Sequence, residues 1–407
     1  MAGTPPKAPR NPGTRKPETR IVRAGQDKKR NAGIVNTPVF HASTVVFDSV
    51  AAMQEASDRV FKKREKALYY GRRGTPTQWT LQEAISELEG AAETFLTPSG
   101  LSACTLAILG CVKAGDHILV TDSVYEPTRI FCDGLLTHFG VTTSYFPPGA
   151  GADVARYFQP NTTVIFAEAP GSHTFEMQDL PALAQVAKAK GAKLLVDNTW
   201  ATPLFCQPLA LGADVSIQAA TKYIVGHSDA MIGTIAVNEA ARPGVQRAVS
   251  QIGIAVAPDD VYLATRGLRT LAVRLKQHQE NALIVARWLQ RQPDIKRLLY
   301  PALPEDPGHA LWKRDFTGAS GLFGVVFTRT SEAAVAAMID DMQLFALGFS
   351  WGGYESLICP SNPAALRTAE PWTEAEPGIR LHIGLEHPDD LIADLEAGLA
   401  RFRATLG

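Results

Sequence analysis

The sequence is expected to fold as an α/β protein, with a mostly parallel central sheet followed by a smaller C-terminal α+β domain. Two observations carry that expectation. Apolar strand-like runs alternate with helical runs from Ala92 onward, with Gly or Pro at the joints, the pattern of right-handed βαβ units. After Gly267 the alternation gives way to one long helical run and a mixed segment. The 407 residues, 45% hydrophobic and 20% charged, suffice for two domains and a large core.

Taken in order, residues 1–20 are rich in Pro, Gly, Lys and Arg, and read as a flexible tail. Residues 21–66 combine IVRAGQD, TPVFHASTVVF and the helical DSVAAMQEASDRVFKKREK, and suit an arm lying over a neighbouring subunit. Residues 67–266 hold the alternating region. There AETFLT leads to helical GLSACTLAILGCV, HILVTD to helical YEPTRIFCDGLLTHF, and TSYF, TVIFAEAP, KLLVDNT and ADVSIQA follow as strands. Residues 267–407 form the second domain, with helical TLAVRLKQHQENALIVARWLQR, strand GLFGVVFT, the loop LGFSWGGYES, strand GIRLHIGLE and a final helix DLIADLEAGLARFRATL.

Composition excludes several classes of function. Forty basic against forty-one acidic residues leave a net charge of -1, so no global field recruits nucleic acid or an anionic membrane. The five cysteines show no CxxC spacing and lie mostly in apolar runs, as expected of reduced thiols in a cytoplasmic protein rather than of disulfides or a zinc site. No apolar run approaches the ~18 residues that span a bilayer. GxxxxGK[ST], HExxH and GxSxG are absent, GAGADVA lacks the third glycine of a dinucleotide fingerprint, and the nine histidines form no metal-ligand pattern.

Ligands of parallel sheets sit at the carboxyl ends of the strands, so polar residues there are the candidates. After AETFLT, Pro98, Ser99 and Gly100 open a helix, which presents N–H groups to an anion or is simply a turn and cap. Asp197 ends the strand KLLVD, either as a buried carboxylate awaiting a cation or as a local turn cap. Lys222 follows the strand ADVSIQA among small and apolar residues. It is a solvated surface charge or a desolvated amine able to condense with a carbonyl. An aldehyde for Lys222, a protonated pyridine nitrogen for Asp197 and a phosphate for the helix start occur together in pyridoxal 5′-phosphate (PLP).

From about residue 21 onward the chain resembles the Cys/Met-metabolism family of PLP enzymes, and within it the bacterial β-lyases that act on cystathionine. The resemblance rests on VNTPVFHASTVVF, YYGRRGTPTQWTLQEAISELEG, TPSGLSA, TDSVYEPTR, VDNTWATP, DVSIQAATKYIVGHSDAMIG, FSWGGYESL and IRLHIGLE. It implies a PLP-dependent transferase of fold type I, aminotransferase-like, with residues 67–266 as the PLP-binding domain. Lys222 is then the Schiff-base lysine and Asp197 the partner of the pyridine nitrogen. Tyr125 stacks on the ring, Gly100 and Leu101 give backbone N–H groups to the phosphate, and Thr221 adds a hydroxyl. Tyr70 and Arg72 match the pair that reaches a neighbouring subunit's phosphate, so a homo-oligomer with shared active sites is implied, a tetramer being expected. Lys222, Tyr125 and Tyr70 are the catalytic candidates, and Arg380 the clamp on a substrate α-carboxylate. Many relatives carry serine where this chain has Ala219, which leaves one phosphate contact open.

The implied substrate is a small amino acid with sulfur on Cβ, and the implied reaction is β-elimination of L-cystathionine to L-homocysteine, pyruvate and ammonia in methionine biosynthesis. Cystine and cysteine are further candidates, and γ-lyase or γ-synthase chemistry is the alternative within the family. Relatives acting at Cγ tend to carry glutamate where this chain has Phe349. Here Phe349, Ser350 and Trp351 are expected to line the substrate pocket, the bulky apolar pair restricting proton transfer at Cγ.

Overall fold

The computed structural model describes residues 15–407. Seven strands form the central sheet: β1 (Glu93–Thr97), β2 (His117–Thr121), β3 (Thr142–Phe146), β4 (Thr162–Glu168), β5 (Lys193–Asp197), β6 (Val215–Gln218) and β7 (Gly233–Val237). Their spatial order is β1-β7-β6-β5-β4-β2-β3. β2 through β6 pair in parallel, whereas β7 runs antiparallel to both β1 and β6. Two reversals cancel, so β1 points the same way as β6. The carboxyl ends of β1, β2, β4, β5 and β6 therefore share one edge of the sheet.

Both faces of this sheet are covered. Leu194 and Val196 of β5 join one apolar cluster, which also takes in Phe323 and Leu381 of the C-terminal region, while Leu195 joins the other. A strand buried on both sides loses its polar alternation, which is why these segments read as continuous apolar runs. The smaller C-terminal domain carries the second sheet, made of β8 (Ile295–Leu299), β9 (Leu322–Phe327), β10 (Ala346–Leu347), β11 (Leu357–Ser361) and β12 (Gly378–His382). Its order is β10-β11-β12-β9-β8. Helix Pro388–Leu406 buries Leu391, Leu395, Leu399 and Phe402 from its apolar stripe, and Phe402 stacks on Phe327 at 4.4 Å between centroids.

Two expectations are corrected locally. The tail expected over residues 1–20 is helical in its last part, because Pro17–Arg23 forms a helix with Ile21 buried; residues 1–14 lie outside the described residues. The helical run expected from Tyr125 to Phe139 is two helices, Glu126–Asp133 and Leu135–His138, broken at Gly134 where φ and ψ are both -99°. From the expected arm, Asn31 and Thr37 form a buried hydrogen-bonded chain with Thr80, and Arg30 pairs with Glu83 at 2.9 Å. Helix Val50–Phe61, by contrast, buries none of its residues.

A buried carboxylate sits behind β6. Glu89 ends the helix Pro76–Glu89 at 1% exposure. Its Oε1 accepts from Ser216 Oγ at 2.9 Å and Gln218 Nε2 at 3.1 Å, while Oε2 has no partner among the described residues. Burial raises its pKa to about 7, and the negative end of the helix also disfavours the anion. The folded pKa lies above the unfolded one, so the chain loses stability as pH rises from about 4.5 to 7, by about 3 kcal/mol in all. Glu89→Gln is expected to remove that slope. Thermal midpoints measured at pH 5 and pH 8 should show the variant gaining on wild type only at the higher pH; a pH-independent difference would contradict this reading.

Candidate active site

The shared sheet edge gathers titratable groups from successive strands. Asp122 follows β2, Glu168 ends β4, Asp197 ends β5, and Lys222 follows β6 by one short turn. Glu168, half-buried, and Asp197, buried, are register partners, so the two carboxyls lie side by side. Burial drives the Glu168 carboxyl well above its ordinary range, and the neighbouring Asp197 adds to it. Asp197 is also raised by burial, but Thr199 opposes the shift. Thr199 donates to Asp197 Oδ1 through its backbone N–H at 3.0 Å and its hydroxyl at 2.5 Å. Two carboxyls that close resolve into one neutral and one anionic group, and these donors make Asp197 the anion.

Lys222 sits in the turn between β6 and β7. Its Nζ donates to Ser350 Oγ at 2.5 Å and lies 5.2 Å from the Trp351 ring. Burial, then repulsion from Arg380, lowers its pKa to about 8, with Asp197 pulling the other way. At neutral to mildly alkaline pH a useful fraction of this amine is uncharged, as a nucleophile or proton acceptor requires. Tyr125 is the residue before helix Glu126–Asp133 and is 43% exposed. Its backbone N–H donates to Glu168 Oε2 at 2.6 Å, which ties the ring's position to the end of β4. Arg380 lies on β12, and its Nη2 reaches the Ser350 carbonyl at 3.5 Å.

At the start of helix Gly100–Leu109, Ser99 Oγ accepts from Ser102 N–H at 3.1 Å and the Ser99 carbonyl accepts from Ala103 N–H at 3.1 Å. The N–H groups of Gly100 and Leu101 precede these and have no intrahelical acceptor. A Cβ on Gly100 would lie 2.4 Å from the Ala219 Cβ, so only glycine lets this helix start close against the turn that carries Lys222. Ala219 offers no hydroxyl there, but its own N–H is fixed by Thr199 Oγ1 at 2.8 Å. Thr221 spends its hydroxyl locally, donating to the Ile232 carbonyl at 3.2 Å and accepting from Ile232 N–H at 2.9 Å.

PLP presents an aldehyde, a basic ring nitrogen and a phosphate, and this donor set fits each part. A buried carboxylate is stable only against a cation or several donors, yet among the described residues Asp197 Oδ2 meets only the Cys104 thiol, at 3.6 Å. A protonated ring nitrogen would complete it. The helix start offers free N–H groups to the phosphate, and Lys222 offers the amine.

The structure brings Lys222, Asp197, Tyr125, Gly100, Leu101, Thr221, Arg380, Ser350 and Trp351 around one sheet edge. Phe349 stands apart at 93% exposure, while Trp351 packs on Tyr223 at 5.5 Å between centroids. The two rings therefore do not form a joint wall within one chain. Tyr70 is 44% exposed, and among the described residues Arg72 Nη1 reaches only the Ser250 carbonyl, at 3.3 Å. Neither belongs to the Lys222 cluster of its own chain.

Sequence reasoning overlooked Glu168, although it ends its strand as Asp197 does, in the run TVIFAEAP. It also overlooked His173, whose Nδ1 bonds Ser361 Oγ at 2.9 Å and whose pKa falls to about 4 through burial and then Arg380. No local pattern marks that residue; only the fold brings it beside Arg380.

A family profile described as Cys/Met metabolism PLP-dependent enzymes matches residues 18–400. A cystathionine β-lyase of Escherichia coli is 46% identical over 95% of this chain and 99% of its own length. A cystathionine γ-lyase of Dictyostelium discoideum is 32% identical over 94% of this chain and 97% of its own. A solved cystathionine γ-synthase of Xanthomonas oryzae, in complex with aminoacrylate and cysteine, superposes with a TM-score of 0.86 at 32% identity, covering 96% of this chain and 99% of that one.

Proposed function

The chain belongs to the Cys/Met metabolism PLP-dependent enzymes, and from that membership we propose a cystathionine β-lyase that converts L-cystathionine and water to L-homocysteine, pyruvate and ammonia. The observation that carries this reading is the Lys222 amine, lowered to about 8 and held against Ser350. The greater identity to a β-lyase than to a γ-lyase, 46% against 32%, supports β-chemistry. So does the local setting, which places an indole 5.2 Å from Nζ and has no acidic residue at position 349.

When bound, PLP supplies the electron sink that stabilises negative charge at the substrate Cα, from which the Cβ–S bond breaks. In this reading Lys222 holds the cofactor and, once released, its uncharged amine takes the Cα proton. Ser350 aims that amine. Asp197, dry and anionic, holds a proton at the ring nitrogen, and Thr199 keeps Asp197 in register. Gly100 and Leu101 would bind the phosphate and Tyr125 would lie on the ring, while Thr221 keeps the turn before Lys222 closed. Arg380 pairs with the substrate α-carboxylate, as its permanent charge and planar donors suit.

Tyr70 and Arg72 are assigned to the site of a second copy, since neither reaches Lys222 in its own. Exposed apolar residues along the arm, Val35 at 75%, Val46 at 88% and Val50 at 78%, support burial against that copy, in a dimer or tetramer. Among the described residues no helix is long and apolar enough to cross a membrane. Five free cysteines support a reducing compartment, the cytoplasm.

Product analysis tests the reaction. Purified protein with L-cystathionine is expected to release pyruvate and free homocysteine; 2-oxobutyrate with cysteine would assign it to γ-chemistry instead. Arg380→Ala is expected to lower kcat/KM for L-cystathionine roughly 10²-fold or more, mostly through KM, because a substrate carboxylate loses its charged partner. An unchanged KM would place the carboxylate elsewhere.

A further inference from the structure

The loop that carries Ser350 is held by a side chain outside the set already described. Arg380 and His382 alternate on β12 and so face the same side of the sheet. His382 is 1% exposed. Its Nδ1 lies 3.0 Å from the Glu355 carbonyl, and its Nε2 accepts the Gly352 N–H at 3.1 Å. A carbonyl only accepts and a backbone N–H only donates, so the partners fix one tautomer, with the proton on Nδ1 and a lone pair on Nε2.

Gly352 is where this bond becomes consequential. Its φ is 91°, and a Cβ there would stand 2.9 Å from both the Lys222 carbonyl carbon and the Tyr223 nitrogen. The Gly352 backbone thus lies directly on the Lys222–Tyr223 peptide. Two residues earlier, Ser350 has φ 81°, a conformation that costs a non-glycine residue about 1–3 kcal/mol and persists only where its surroundings impose it. That strained residue presents its Oγ to Lys222 Nζ at 2.5 Å. Between them Trp351 packs on Tyr223, whose hydroxyl accepts from Gly321 N–H at 3.0 Å.

We propose that His382 is a positioning residue which, through Gly352, holds Ser350 against the Lys222 amine. One face of β12 then serves two purposes, the substrate carboxylate through Arg380 and the aim of the amine through His382. The lone pair this needs is secure. Burial, then His278, Arg380 and Lys222, disfavour a charge on the imidazole and outweigh the Glu355 carbonyl, which favours one.

The assignment rests on Lys222 being the cofactor-binding amine, and a pair of substitutions isolates the proposed bond. Gln places its carbonyl oxygen where Nε2 sits and keeps the acceptor for Gly352; Asn places its amide nitrogen where Nδ1 sits and loses it. In the full-length chain freed of cofactor, competitive labelling by an amine reagent across pH, with mass spectrometry, reads the Lys222 titration midpoint. His382→Asn is expected to raise that midpoint by roughly one unit, toward the ordinary 10.5, as the released loop lets water reach Nζ. It should also lower kcat about tenfold in the holoenzyme. His382→Gln is expected to keep the wild-type midpoint and kcat within about threefold. Gly352→Ala disturbs the same bond from its other end and should shift the midpoint upward as well, which covers the case of an Asn variant that does not fold. Asn and Gln variants with the wild-type midpoint would overturn the positioning role alone. Failure of added PLP to protect Lys222 from the label in wild type would overturn the cofactor assignment beneath it.

Discussion

Lys222→Ala is expected to leave a folded protein that no longer retains PLP covalently and whose β-elimination of L-cystathionine falls by roughly 10³-fold or more. Two functions are lost together, the anchoring amine and the base that takes the Cα proton, and removal of a positioned base alone typically costs 10²–10⁴-fold. The amine suits both because burial and Arg380 lower it to about 8. The measurement is the steady-state rate together with cofactor content after gel filtration. A variant that keeps wild-type activity would remove Lys222 from the chemistry.

The second large effect concerns stability. Asp122, at the end of β2, has a side chain with 0% exposure and accepts from Arg129 Nη2 at 2.6 Å and Arg367 Nε at 3.1 Å. The backbone N–H groups of Thr368, Ala369 and Glu370 complete its shell at 3.0, 2.9 and 3.0 Å. Burial alone would raise this carboxyl, but the backbone N–H groups and Arg129 together hold it below its ordinary value. The bonds tie the segment after β11 to the large sheet, three residues before Tyr125. Asp122→Ala strands the Arg129 charge, whose side chain is 8% exposed, and leaves Arg367, 3% exposed, with Glu176 as its close carboxylate. Breaking one side of such a buried pair costs about 3–5 kcal/mol. Chemical denaturation should show a loss of that size. A loss below about 1 kcal/mol would mean that water or neighbouring carboxylates replace the aspartate.

Much of this was legible because sheet and chemistry leave strong local marks. Strands covered on both faces are unbroken apolar runs, and Asp197 and Lys222 stand out because each interrupts or follows such a run. The missed strands fail that criterion for specific reasons. β8 reads IKRLL, with Lys296 exposed on its outer side. β11 contains Pro360, which argues against an interior strand. It is tolerated because β10 pairs only with Leu357 and Ile358, leaving Pro360 at a free edge on that side. β7 was hidden inside a segment read for its lysine, and its antiparallel course comes from the pairing of Gly233 with Thr97 across the sheet, a long-range contact.

The site divides the same way. Asp197 was recognisable from its position at a strand end and Glu168 carries the same mark, whereas His382 and His173 depend on what the fold sets opposite them. Resemblance identified Tyr70, Arg72 and Phe349, and one chain alone leaves Tyr70 and Phe349 facing solvent.

The central claim is that Lys222 is the amine that carries the cofactor. Borohydride reduction of the holoenzyme, followed by proteolysis and mass spectrometry of the modified peptide, tests it most directly. The account predicts a single pyridoxyl group on Lys222, within QAATKYIVGH. Stoichiometric label on another lysine, with Lys222 unmodified, would contradict it.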